Sequence, residues 1–321
     1  LSFTLGEPDF TASENVVEAG CRAIREGQTK YSANAGLLPL REAISGYLKR
    51  TEGQEYDPVS QIVVTPGAMG ALYLALKTIL NPGDEVIVSE PCWTNYIQQI
   101  QMCGGTAVSV QTDPKRGFDL DVEAIRSAVT DRTRAIILNS PCNPTGAVAS
   151  REALDALAQV AKEFDLAVLA DEVYKHILFD GAEYTSLASL PDMVERTLVI
   201  DSLSKTYAMT GWRVGFAAGP AEVISQMTKL QENTSACAST PCQCAAIEAL
   251  NGPQTHLAHM REQYRIRRDY VMNRIESIPG LSCSKPQGTF YAFLDIRQSG
   301  LDSETFAMRL LEEEQVVLVP G

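Results

Sequence analysis

Four short apolar runs in this chain each end on residues able to do chemistry. Ala135–Leu138 is followed by Asn139-Ser140-Pro141-Cys142-Asn143-Pro144-Thr145-Gly146, which offers side-chain amides in a turn-forming setting. Leu166–Ala170 runs into Asp171-Glu172-Val173-Tyr174, a carboxylate followed by a phenol. Thr197–Ile200 leads to Asp201-Ser202-Leu203-Ser204-Lys205, an amine among hydroxyls. Gln61–Val64 gives way to Thr65-Pro66-Gly67-Ala68-Met69-Gly70, the small-residue start of a helix. Amines act as nucleophiles or general bases, carboxylates as counter-charges, and phenols and amides as hydrogen-bond donors. Singly, each feature has a plainer reading: Asn-Pro-Thr-Gly as a turn, Gly67-Ala68 as a tight connection, Asp171 as a cap, Lys205 as a solvated strand end. Together they suit one ligand class.

The elements that must position these residues are legible in the runs themselves. Glu85–Val88 and Ala107–Val110 join the four above as short segments, β-branched and apolar rather than alternating, the pattern of strands buried on both faces. Helical spacing fills Gly70–Ile79, Leu120–Val129 and Arg151–Phe164, the last with Leu154, Leu157, Ala158 and Ala161 on one face. Strand alternating with helix predicts an α/β fold with a mostly parallel sheet flanked by helices, whose ligands bind beyond the carboxyl ends of the strands. After about Gly219 helical periodicity dominates, over Ala221–Leu250 and His256–Ile278, with Cys237–Cys244 reading as a loop. The arginines of the second stretch (Arg261, Arg265, Arg267, Arg268, Arg274) read as a solvated face. Pro279-Gly280 breaks the helix, and a strand over Thr289–Leu294, a helix over Ser303–Glu314 and a strand over Val316–Val319 are expected to form a smaller α+β unit.

The 321 residues correspond to about two domains at roughly 150 residues each. Forty acidic against 27 basic residues give a net charge of −13, which repels nucleic-acid backbones and anionic membranes. With 45% hydrophobic and 21% charged residues and a mean hydropathy of −0.07, the composition is that of a soluble globular protein. No apolar run approaches the ~18–20 residues that span a bilayer, and no signal pattern opens the chain. The eight cysteines include no C-x-x-C pair, and His256 and His259 lack a third ligand, so reduced thiols in a cytoplasm are expected and a metal site is not. The lack of G-x-S-x-G and G-x-G-x-x-G turns sets aside a nucleophilic hydrolase and a nicotinamide enzyme.

The order and spacing of the motifs resemble the class I/II aminotransferases, the aspartate/aromatic-aminotransferase-like enzymes of fold type I that use pyridoxal 5'-phosphate. The likeness runs through essentially the whole chain. It takes in Gly6-Glu7-Pro8-Asp9-Phe10, Tyr31 with Gly36 and Leu40-Arg41, Asn143-Pro144-Thr145-Gly146 and Asp171-Glu172-Val173-Tyr174. It continues through Ser202-Leu203-Ser204-Lys205 and Met209-Thr210-Gly211-Trp212-Arg213-Val214-Gly215. The resemblance implies a large cofactor-binding α/β domain over residues 15–278. Residues 1–14 and 279–321 would form a small domain, incomplete at its C-terminus. It also implies a homodimer with shared active sites.

Under the resemblance, Lys205 is the Schiff-base lysine and then the general base and acid of transamination. Asp171 pairs with the pyridine nitrogen, and Tyr174 and Asn143 donate to the ring's phenolic oxygen. The phosphate falls to the backbone of Ala68 and Met69 at a helix N-terminus, the Ser202 hydroxyl and the planar fork of Arg213. Tyr31 reaches the phosphate of the neighbouring subunit, Trp93 stacks on the ring, and Gly6, with Trp93 and Asn143, meets the substrate. Read without the resemblance, Trp93 is plain core, Asn143 a turn former and Gly6 a simple turn.

The implied reaction moves the amino group of an L-amino acid to a 2-oxo acid by a ping-pong mechanism, with small molecules as partners and neither nucleic acid nor membrane. Two alternatives stand beside it: a β-elimination (C–S) lyase using the same cofactor, and a non-catalytic ligand-binding domain. The Met209–Arg213 block favours transfer. The family's arginine for the substrate α-carboxylate is expected in a segment beyond Gly321, and a further helix ahead of Leu1. Aspartate, alanine, aromatic and branched-chain donors are not separated by these residues.

Overall fold

The computed structural model describes residues 1–321 and opens with two helices, α1 (Glu14–Arg25) and α2 (Leu38–Glu52). Strand β1 (Ile62–Thr65) leads into α3 (Gly67–Ile79), β2 (Glu85–Glu90), α4 (Asn95–Met102) and β3 (Thr106–Gln111). Then come α5 (Val122–Ser127), β4 (Thr133–Asn139), α6 (Arg151–Glu163), β5 (Ala167–Asp171) and β6 (Thr197–Ser202). A one-turn helix α7 (Leu203–Thr206) precedes β7 (Gly215–Ala218), α8 (Ala221–Glu232), α9 (Thr240–Asn251) and α10 (Thr255–Glu276). The remaining elements are β8 (Ser282–Cys283), β9 (Leu294–Asp295) and α11 (Ser303–Glu314). No helix is long and apolar enough to cross a membrane.

Seven strands make one sheet in the order β1-β7-β6-β5-β4-β2-β3. The pairs from β3 across to β6 are parallel, as the strand–helix alternation predicts, and β7 runs antiparallel to both β6 and β1. Each face is covered. Val63, Val86, Val88, Ile137, Leu169 and Ile200 pack with the apolar sides of α3, α4 and α8, while Ile87, Ile136, Leu138 and Val168 pack with those of α5 and α6. Each such side chain, fully buried, contributes about 1.5–3 kcal/mol.

Strand β7 is the one strand of the large sheet that sequence patterning missed. It reads Gly-Phe-Ala-Ala, with no β-branched residue to mark it. The link from β6 holds only α7 and a turn of 3-10 helix, with no crossover helix to return the chain in parallel, so it comes back antiparallel. The consequence is positional: β7 begins where β1 and β6 end, with Gly215 opposite both Thr65 and Ser202.

Four other expectations need correction. The helical stretch Ala221–Leu250 divides into α8 and α9 around a break at which Ala236 turns left-handed (φ 58). Pro241 sits in the first turn of α9, so Cys242 and Cys244 lie on a helix rather than in a loop. Of the strand expected over Thr289–Leu294 only its end is ladder, with Leu294 opposite Cys283. Thr289 takes φ 65 and its N–H donates at 2.9 Å to the Ile177 carbonyl, docking this segment on the loop after β5. The strand expected over Val316–Val319 shrinks to a single bridge between Ser2 and Val317.

At the β7 start two backbones meet: a Cβ on Gly215 would lie 2.5 Å from the Ala68 nitrogen and the Gly67 carbonyl carbon. Gly215→Ala is therefore expected to lower the unfolding free energy by about 1–3 kcal/mol in urea titrations. Gly211→Ala, where the added methyl meets nothing within 4 Å, should change it by less than about 0.5 kcal/mol. Equal effects would remove the close approach as the cause.

Candidate active site

Strands β4, β5 and β6 lie side by side and end at Asn139, Asp171 and Ser202, so their exit loops share one edge of the sheet. Ser202 caps α7, its Oγ accepting the Ser204 N–H at 3.4 Å, and Lys205 follows on that single turn. The Lys205 Nζ donates to the Gly6 carbonyl and lies 6.0 Å from the Tyr174 ring centre and 5.9 Å from that of Phe290. Burial holds this amine below the ordinary lysine range; Glu7 opposes the shift and Arg213 adds to it. A lysine so placed is readily deprotonated, as a nucleophile or base must be.

Asp171 is buried beside it. Its Oδ2 accepts the Tyr96 hydroxyl at 2.6 Å and its Oδ1 the Val173 N–H at 3.3 Å. Burial outweighs both contacts and pushes the carboxyl up to about 6. A carboxyl this poorly solvated favours a cationic partner, which a protonated pyridine nitrogen would supply. Asn139 ties the neighbouring loops together: its Nδ2 donates to the Asp171 carbonyl at 3.1 Å and its Oδ1 accepts the Asn143 N–H at 2.8 Å. On the loop after β5 the Tyr174 hydroxyl lies 2.8 Å from that of Tyr291.

The third part of the site is the start of α3. Its first N–H groups have no acceptor within the helix. The Arg213 guanidinium lies over them, since a Cβ on Gly67 would come within 2.6 Å of Nη2. Arg213 itself is left-handed (φ 55, ψ 52), a conformation that costs a non-glycine residue about 1–2 kcal/mol, and Nη1 is anchored on the Thr210 carbonyl at 2.9 Å. Ser202 is paired with Gly215, which touches Gly67 and Ala68, so a hydroxyl, a planar cation and a helix N-terminus converge. That donor set fits a phosphate. Gly67, too, favours glycine, at φ 76, and a side chain there would displace the Arg213 guanidinium.

Trp93 meets Tyr96 edge-on, centroids 5.4 Å apart, and so stands one residue from the Asp171 carboxylate. Gly6 is held under Lys205, and a Cβ there would overlap the Tyr291 hydroxyl at 2.0 Å. Tyr31 is 89% exposed and is not brought to the site within one chain. Tyr96, Asn139 and Tyr291 escaped sequence reasoning as site residues. Tyr96 was recoverable, three residues after Trp93 on the same stretch of chain. Tyr291 carries no local signal, because it reaches the site through the non-strand segment docked after β5.

Asp171 makes the cofactor-free protein sensitive to pH. The unfolded carboxyl titrates near its ordinary 3.8 and the folded one near 6, so between these the unfolded chain releases a proton that the folded chain keeps. Stability therefore falls as pH rises through that window, by up to about 3 kcal/mol from this group. In urea unfolding at a series of pH values, Asp171→Asn should flatten this fall; an unchanged slope would show that the carboxyl is not so perturbed.

Residues 1–321 match the family described as aminotransferase class I and II. The chain is 39% identical over 322 residues to an aspartate aminotransferase from a Bacillus species, covering 98% of this chain and 82% of that protein. Among solved structures it is similar to an aromatic aminotransferase from Pyrococcus horikoshii, with a TM-score of 0.97 at 42% identity over 100% of this chain and 86% of that one. Aspartate aminotransferase from Thermus thermophilus with maleate gives a TM-score of 0.96 at 40% identity over 99% of this chain and 83% of that one. Agreement this close, over a chain whose amine, buried carboxyl and anion cradle share one sheet edge, leaves a single assignment: the protein belongs to the class I and II aminotransferases, which use pyridoxal 5'-phosphate.

Proposed function

We propose that Lys205 is the working amine of this aminotransferase, with Asp171, Asn143, Tyr174, Ser202, Arg213 and the Ala68–Met69 backbone holding the cofactor around it. The enzyme moves an amino group from an amino acid to a 2-oxo acid. The observation that carries the residue assignment is the convergence of Lys205, Asp171 and the Gly67–Arg213 cradle on one edge of the sheet. When bound, the cofactor supplies an aldehyde that condenses with amines and a ring that accepts the electron pair left behind at the substrate α-carbon.

The protein's own groups do the rest. Lys205 Nζ, its basicity lowered by burial, would take the proton from the substrate α-carbon and return it from the same face to the carbon at the other end of the C–N unit. Asp171 holds a proton at the ring nitrogen by opposing its charge. The Tyr174 hydroxyl and Asn143 amide donate to the ring oxygen, while the α3 N–H groups, Ser202 and Arg213 bind the phosphate. Trp93 walls the ring, and Gly6, with Trp93 and Asn143, faces the substrate.

We extend the reading to a homodimer in which Tyr31, idle and exposed in one chain, completes the phosphate site of the partner subunit. Residues 15–278 would act as the cofactor domain and residues 1–14 with 279–321 as the small domain. The free thiols suit a reducing cytoplasm. Because the relatives are named for aspartate and for aromatic amino acids, those are the donors to assay first.

Lys205→Ala should keep its fold yet lose both turnover and the visible absorption band of the bound cofactor; normal turnover would remove the mechanism. Asp171→Ala should retain cofactor while slowing transfer on the order of 100-fold, measured with each donor and a 2-oxo acid; release of ammonia in place of transfer would identify a lyase. Mixing inactive Lys205→Ala subunits with Tyr31→Ala subunits should restore partial activity through hybrid dimers that contain one intact site. No restoration would argue against sharing.

A further inference from the structure

Beneath the site lies a buried ammonium that the reaction does not use. The Lys175 side chain is 1% exposed, and its Nζ stands 3.1 Å from Glu172 Oε2, 3.2 Å from Asp201 Oδ2 and 3.9 Å from Glu52 Oε1. The Tyr47 ring centre is 5.0 Å away, and the Tyr47 hydroxyl lies 2.6 Å from His176 Nε2 and 3.4 Å from Asp201 Oδ2. Burial disfavours the Lys175 charge, yet the oxygens of Tyr47, Asp201, Glu172 and Glu52 outweigh it and hold the amine above the ordinary lysine range. The carboxylates feel the crowding: burial first, with Glu172 adding to it, pushes Asp201 up to about 6 in spite of Lys175, and burial raises Glu52 as well.

The two nearest carboxylates belong to the two strand ends that carry the chemistry. Glu172 directly follows Asp171. Its Oε2 meets Lys175 and its Oε1 accepts the Ser186 hydroxyl, which is itself held by Gln54 at 2.7 Å. Asp201 directly precedes Ser202: its Oδ2 meets Lys175 and its Oδ1 accepts the Ser202 N–H at 2.7 Å. Ser202 then caps the turn bearing Lys205. A short chain of contacts thus runs from Asp171, through the ammonium, to Lys205. Buried ion pairs seldom repay their desolvation in stability, so conformational specificity is the role to test.

We propose that Lys175 is a positioning residue of the transamination site, pinning the β5 exit to the β6 end so that Asp171 and Lys205 keep their mutual placement across the cofactor ring. The inference rests on the Lys205 reading above. Glu52 and Tyr47 anchor the pin to α2.

Lys175→Met alone strands buried carboxylates, so the charge-balanced Lys175→Met/Asp201→Asn variant is the test, in the full holoenzyme. Leu157→Ala, a cavity in the distant helix α6, controls for lost stability. Loss of the pin should lower kcat on the order of 10- to 100-fold with KM changed less than about threefold. It should raise the pH midpoint of the bound cofactor's visible absorption, because Tyr174 and Asn143 fall out of line. In cofactor-free protein it should also change the rate of Lys205 reductive methylation, read by peptide mass spectrometry. Glu172→Gln, which keeps its shape and the Ser186 contact, should move the same readouts by less and serves if the double variant does not fold. A lowered melting temperature with kcat, midpoint and Lys205 reactivity all matching Leu157→Ala would overturn the proposal. Normal turnover by Lys205→Ala would instead overturn the reading on which it rests.

Discussion

The Asp171 carboxyl ends a central strand from which water is almost wholly excluded, and it is met there by only one phenol and one backbone N–H. Most of the site answers to that arrangement. Tyr96 is held in α4 to satisfy one oxygen, and Trp93 is braced against Tyr96. Asn139 grips the backbone of the same residue and at the same time orients Asn143. A carboxyl with incomplete compensation costs stability on its own and favours a cationic partner, so the same burial weakens the fold and would strengthen the ring contact proposed for Asp171.

The second governing feature is the reversal of β7. Parallel strands deliver their carboxyl ends to one edge, but an arginine after Lys205 reaches that edge only if the next strand starts there. The antiparallel return does this, setting Gly215 against both Thr65 and Ser202. The backbones of β7 and α3 then press together closely enough that glycine is required, and Arg213 accepts a left-handed backbone to lay its guanidinium over Gly67. Strain and close packing concentrate at the anion cradle, where placement matters to fractions of an ångström.

What the sequence revealed and what it hid divide along physical lines. The six apolar runs marked strands because residues buried on both faces must be apolar throughout, and the chemistry at their ends followed from the rule that ligands meet parallel sheets there. Lys205, Asp171 and Asn143 stood out as candidates for that reason, and Arg213 only through the family resemblance. Strand β7 was not, since small residues carry little propensity in either direction. The residues at 289–293 misled in the opposite sense: Thr-Phe-Tyr-Ala-Phe has strand composition, but it finds its hydrogen bonds on the loop after β5. Lys175 was invisible as a buried cation because nothing local distinguishes a pinned lysine from a solvated one; only the meeting of α2, β5 and β6 does so.

Two contacts at the site join very distant parts of the chain. Lys205 touches the carbonyl of a residue 199 positions earlier, and Tyr174 meets a hydroxyl 117 positions later. Contacts of such long range carry a large loop-closure entropy, which the helices and strands between them must offset. During synthesis every strand of the large sheet is made before Phe290 and Tyr291, so these two can join the surroundings of Lys205 and Tyr174 only afterwards. A nascent chain not yet grown to residue 291 therefore bears Lys205 without the part of its enclosure that Phe290 supplies.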